Sequence, residues 1–230
     1  MEALPHPYYP LNLKVVGYVP NEWTSLTLVS IFASACAITF LAVYTLTMKV
    51  HPKVSRSDLW TIMWFVLSGS IHLILEGYYV YNFRSMSNKQ DILGQLWKEY
   101  SLSDSRYQSE NAFVLCMETI TSVCWGPLCF ACAFFIMTSH PLRHPVQAIV
   151  SLGQLYGDVI YYGTSLFDHY ILGLSYSRPE PLIFWGYFVF CNTFWIVIPF
   201  VLILSSLSES KRAFVALGRD EGVERGRKSQ

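Results

Sequence analysis

Charge is what this chain has least of. Only 14% of its 230 residues are Asp, Glu, Lys or Arg, against roughly 25% in a soluble domain. The sixteen basic and sixteen acidic side chains cancel, so there is no electrostatic footprint for a phosphate backbone and no nucleic-acid partner is expected. Loop cysteines are missing too. Cys36, Cys116, Cys124, Cys129, Cys132 and Cys191 all fall inside apolar runs, which excludes a disulfide framework; Cys129 and Cys132 form a CxxC without a second pair, and packing is the reading we take. There is no Gly-rich phosphate loop, no HExxH or comparable ligand set, and no Ser-His-Asp grouping, so neither a metal nor a cofactor is expected. No basic n-region precedes an apolar core in the first 22 residues, which are rich in Pro and Tyr; the first span is therefore expected to act as the insertion signal.

What is present is apolar: 53% hydrophobic and 16% aromatic residues. A bilayer core needs about 20 residues of helix, and five runs reach that length: 24–48, 59–83, 111–138, 146–167 and 182–207. The expected architecture is all-α and integral to a membrane, with five transmembrane helices around one intramembrane cavity. Residues 1–23 read as a lumenal arm, 24–207 as the membrane domain, and 208–230 as a cytosolic charged tail without fixed structure. Between the second and third spans, Ile92, Leu93, Leu96, Trp97 and Tyr100 recur at helical spacing, predicting a short interfacial amphipathic helix near 91–100. Pro127 should kink the third span, and Gly153 with Gly157 forms a small-xxx-small pair suited to close helix packing. Ten of the sixteen Lys and Arg residues lie on the side of the tail and six on the other, so the tail is expected in the cytosol and the amino terminus in the lumen.

Into the second run the sequence places His72 and Glu76, four residues apart and so on one helix face. Ionisable groups at that depth cost roughly 2.5–3.5 kcal/mol each on insertion scales and require a partner or a cavity. At 1.5 Å of rise per residue, Glu118 in the third run lies level with Glu76. Thr121, Asp158, Asn192 and Trp195 fall a little deeper. Asn192 and Trp195, three apart, face the same way. Asp158, with Gln154 one turn earlier, reads as a structural tie between helices. A carboxylic acid in low dielectric keeps its proton and can act as an acid near neutrality; a second group of different pKa can take a proton elsewhere; an indole face can stabilise a cation between them. A metal held by His72, Glu76, Glu118 and Asp158 is the weaker alternative.

The segments IHLILEGYYV (71–80), QLWKEY (95–100), DSRY (104–107), CMETITSVCWGP (116–127), GQLYGDVIYY (153–162) and YFVFCNTFWIVIP (187–199) resemble the emopamil-binding protein family, the 3-beta-hydroxysteroid Delta-8, Delta-7 isomerases of the EXPERA superfamily. The likeness runs from about His6 to Leu207. It implies a five-span, dimeric enzyme of the endoplasmic reticulum in sterol biosynthesis that protonates carbon 9 of a sterol, forms a carbocation at carbon 8 and removes a proton from carbon 7. By that resemblance His72, Glu76 and Glu118 are the acid/base set, Asn192 and Thr121 position them, Trp195 faces the cation and Tyr107 closes the cavity. It also implies binding of membrane lipid and of cationic amphiphilic amines as inhibitors. The alternative it leaves open is a non-catalytic receptor of the same superfamily for sterols or cationic amphiphiles. The short arm, the 168–180 loop and a tail without a lysine-rich end depart from the family pattern. Arg227-Lys228-Ser229-Gln230 nevertheless resembles a dibasic retrieval signal.

Overall fold

A computed structural model describes residues 6–228, with side chains as far as Arg219. The 227–230 basic end lies outside what is described in side-chain detail. Among the described residues there are eight α-helices and no strand. The first, α1, is Ser25–Val50. Helix α2, Arg56–Ser70, passes without a break through a π-helical turn, Ile71–Glu76, into α3, Gly77–Asn82. A short α4, Ile92–Tyr100, precedes α5, Ala112–Ile120, which runs through a second π turn, Thr121–Trp125, into α6, Gly126–Met137. Then come α7, Arg143–Leu172, a third π segment, Ile183–Phe190, and α8, Cys191–Lys228.

Local chemistry sets the starts. Thr24, Ser55, Asp91 and Asn111 each cap a helix by accepting from the backbone N–H three residues on, which satisfies one of the donors a helix start leaves free. At the other end, α7 stops at Gly173, whose φ of 68° is a left-handed conformation that glycine adopts without strain.

Four continuous helices, Ser25–Val50, Arg56–Asn88, Ala112–Met137 and Ile183–Arg219, are long and apolar enough to cross a membrane. The run expected as a fourth span forms helix α7, which is not among these four. Its 30 residues reach about 45 Å, but Gln147, Ser151, Gln154 and Asp158 on its buried face make it less apolar than the others. Those four residues recur at helical spacing and turn toward the bundle, so their polarity is spent inside.

Three sequence expectations change. The tail expected without fixed structure continues α8 as helix to Lys228; once a span has nucleated the helix, each added residue brings one more hydrogen bond at little cost. Pro127 lies inside the continuous Ala112–Met137 helix, and the distortion expected there takes the form of the π turn Thr121–Trp125 just before it. The glycine pair is only half a packing motif: a Cβ on Gly153 would lie 2.4 Å from the Trp125 ring, whereas nothing approaches Gly157 within 4 Å.

The amphipathic helix forms where it was expected, but its polar face is not left to water. Gln95, Lys98 and Glu99 are buried beneath the amino-terminal arm. The Gln95 side-chain oxygen accepts from the backbone N–H groups of Glu22 and Trp23, and Lys98 Nζ donates to the Val19 carbonyl at 2.8 Å. Burial pulls the Lys98 ammonium down to about 8, with Glu22 and Asp91 opposing. The other face of α4 covers the bundle, so arm and helix together form a roof.

Below that roof, two apolar clusters stack along the helices. One joins Tyr79, Trp97, Tyr107, Val114, Tyr161 and Phe188. The other joins Ile62, Phe65, Cys129, Cys132, Val150 and Leu202. The two halves of the CxxC are fully buried free cysteines in this second cluster. Between the clusters the bundle does not close.

Candidate active site

The gap is a cavity of about 240 Å³ whose lining includes His72, Glu76, Tyr107, Glu118, Thr121, Asp158, Asn192 and Trp195. It is somewhat smaller than the roughly 300–1,000 Å³ typical of small-ligand sites. All the residues singled out in the sequence therefore share one chamber, contributed by α2, α5, α7 and α8 with their π turns and by the segment before α5.

The π turns lie at the site. Gly77 N–H reaches back five residues to His72 O, and Gly126 N–H five residues to Thr121 O. Each such turn carries one more residue than an α turn and commonly marks a functional site. The first contains both His72 and Glu76, the second opens on Thr121, and the third ends just before Asn192. Each rotates a polar side chain into the chamber.

Within the chamber, His72 Nδ1 lies 2.8 and 2.7 Å from the two Glu76 oxygens. On the other side of the ring, Nε2 is 3.1 Å from Ser68 Oγ and 3.0 Å from Gln154 Nε2. The Gln154 amide N–H donates there and to Ser68 Oγ, so His72 Nε2 accepts and Nδ1 carries the proton toward Glu76; the tautomer follows from this network rather than from observed hydrogens. Both ring nitrogens are thus engaged. Glu76 is the member of the pair that meets the chamber: 12% of its side chain is exposed against 3% for His72.

Glu118 is buried beside them. Its Oε1 accepts from the Tyr107 hydroxyl and its Oε2 is 3.4 Å from Thr121 Oγ1. Glu76 and Glu118, from separate helices, line the same cavity. The Trp195 ring stands 6.2 Å from the His72 ring and 5.4 Å from that of Trp64.

Two positions differ from expectation. Asn192 touches none of the acid/base set: its amide donates to Tyr100 Oη at 2.9 Å and to Phe188 O, so it orders the roof instead. Asp158 is not an interhelical tie. It has no hydrogen-bond partner among the described residues, and its Oδ2 is buried and unmatched. The tie is made by Gln154, one turn away, which crosses from α7 to α2. Ser68 was missed although its spacing marks it: it stands one helical turn before His72 on the same face and bonds it there.

Gln154→Leu should therefore cost about 1–3 kcal/mol of stability, because a buried acceptor on His72 loses its donor. It should also slow turnover about tenfold, the effect of roughly 1.4 kcal/mol of lost tautomer bias. Thermal unfolding and steady-state kinetics check the two separately, with the loss expected in kcat rather than KM.

Residues 92–206 match the EXPERA (EXPanded EBP superfamily) family. The chain is 39% identical over 88% of its length to the 3-beta-hydroxysteroid-Delta(8),Delta(7)-isomerase of Mus musculus, covering 87% of that protein. The proteins of that name from Rattus norvegicus and Cavia porcellus are 37% and 35% identical, over 90% and 89% of this chain and 90% and 88% of theirs.

Proposed function

The chain belongs to the EXPERA family, the expanded EBP superfamily, and on that premise we propose that it moves a ring double bond of a 3β-hydroxysterol from Delta-8 to Delta-7 inside the membrane. The observation that carries the reading is the meeting of Glu76 and Glu118, from separate helices, with His72 in one largely apolar chamber. A receptor needs shape and one or two polar contacts; it does not need three acid/base groups lining one chamber, which is why we favour the enzyme.

The bonds balance without a cofactor. Glu118 gives its proton to carbon 9, the C8=C9 π pair becomes the new C9–H bond, and carbon 8 is left positive. Glu76 takes the proton from carbon 7, and that C–H pair becomes the C7=C8 double bond. His72, bonded through Nδ1–H, holds Glu76 in place and accepts charge from it. One proton enters and one leaves, so nothing is oxidised or reduced, and exchange with solvent between turnovers returns a proton to Glu118 and removes one from Glu76. The Trp195 ring beside this layer offers its negative face to the cation, an interaction worth about 2 kcal/mol when desolvated. Tyr107 keeps Glu118 Oε1 occupied, directing the transferable proton to Oε2. An ammonium resembles the cationic intermediate, so cationic amphiphilic amines should bind as transition-state mimics.

On the same reading α7 is the fourth of five spans, since it packs against α8 and carries its polar residues inward. Five spans with the observed basic bias set the arm in the lumen and the tail in the cytosol, consistent with an endoplasmic-reticulum enzyme that acts as a homodimer. Expression in cells lacking their own isomerase tests the function: accumulated Delta-8 sterols should be replaced by Delta-7 sterols, and an unchanged sterol profile with the protein present in the membrane would reject it.

A further inference from the structure

Most polar side chains of the reactive layer are paired with one another, Gln154 Oε1 and Trp195 Nε1 excepted. Glu76 is held by His72, Glu118 by Tyr107, His72 by Ser68 and Gln154, and Asn192 by Tyr100. Asp158 is the carboxyl left over. It is 8% exposed, lines the same cavity, and presents a buried Oδ2 with no donor. Buried polar atoms are nearly always matched, and an unmatched one is strongly penalised. The wall next to it also recedes: Gly157 lines the cavity, and a side chain added there would meet nothing within 4 Å. An open space beside an unused acceptor is what a ligand donor requires.

We propose that Asp158 is a substrate-binding residue that accepts the hydrogen bond of the sterol 3β-hydroxyl. This deepens the isomerase reading and rests on it. A sterol nucleus is a rigid hydrocarbon with one hydroxyl, so a single donor–acceptor contact decides which end goes where. The reacting carboxyls come from α2 and α5 and the free one from α7. Fixing the hydroxyl on α7 turns the fused rings toward Glu76 and Glu118, and a site built around that hydroxyl discriminates against analogues without it.

The test pairs a Delta-8 3β-hydroxysterol with its 3-methyl ether, which keeps the rings but cannot donate. The wild-type protein should prefer the free hydroxyl at least tenfold in KM, and in displacement of a radiolabelled hydroxysterol, as expected when losing the donor leaves a buried acceptor unpaired. In Asp158→Leu that ratio should fall to near one, with the loss in KM; Asp158→Asn, which keeps an acceptor oxygen, should retain part of it. Should the leucine variant not fold, a ratio in the asparagine variant lowered at least threefold supports the anchor and an unchanged ratio overturns it. Variants that stop the double-bond shift for both sterols yet bind with wild-type preference would overturn it as well, moving Asp158 into the proton chemistry. A wild-type protein that converts neither sterol counts against the isomerase reading alone, and the displacement ratios then decide the anchor by themselves.

Discussion

Glutamine in place of Glu118 is expected to lower turnover about a hundred- to ten-thousand-fold, the usual worth of a positioned general acid, without unfolding the protein. The amide keeps the volume of the side chain and an oxygen that can accept from the Tyr107 hydroxyl, so the contact that fixes it survives. What it loses is the one proton it could give to an alkene. Because Glu118 is buried at 4% exposure, no solvent acid replaces it from outside. Single-turnover conversion of a Delta-8 sterol, with sterol binding measured in parallel, separates the effects. Binding near the wild-type value with conversion lost is the expected pattern; conversion within a few-fold of wild type would remove Glu118 from the proton step.

The largest loss of stability is expected outside the reactive layer, at Arg106. Asp104 and Arg106 form an ion pair at 2.6 Å with side chains 0% and 1% exposed. The guanidinium also donates to Thr164 Oγ1 at 2.8 Å and to Tyr161 O, and it lies 4.9 Å over the Tyr161 ring. Burial alone would weaken its charge, but Asp104 outweighs that and holds the group above the ordinary arginine range. Arg106→Met leaves the Asp104 carboxylate buried without a counter-charge, which costs about 3–5 kcal/mol, or roughly 10 °C in the unfolding midpoint of a chain this size. Neutralising both partners, Arg106→Met with Asp104→Leu, should return much of the loss, since a well-packed apolar pair often matches a buried ion pair. Thermal unfolding of detergent-solubilised protein checks this; equal losses in the single and double variants would mean that the segment is held by packing and not by the pair.

Much of this was visible in the sequence because a bilayer simplifies it. A histidine and a carboxylate in a run of apolar residues stand out, and counting rise per residue brings Glu76 level with Glu118 before any coordinates are consulted. The helical runs were legible to within a few residues for the same reason, except at the end of the last, whose helix continues through the tail to Lys228. The π turns were not, because no residue type announces a hydrogen bond that skips one more residue. Contacts set by tertiary structure were equally hidden. Nothing in Asn192 says that it will choose Tyr100, ninety-two positions earlier, over the acid/base set. The Gln154–Asp158 pair was read as one tie, whereas the helix turns Gln154 onto His72 and leaves Asp158 facing open space. The covered polar face of α4 escaped notice because its partner is an irregular arm with no periodicity to read.

The proton count decides the central claim. Purified protein given a Delta-8 sterol in deuterium oxide, with no cofactor added, should yield the Delta-7 sterol carrying one solvent deuteron at carbon 9. A folded, sterol-binding preparation that forms no Delta-7 product, or forms it without deuterium at that carbon, would contradict the protonation mechanism.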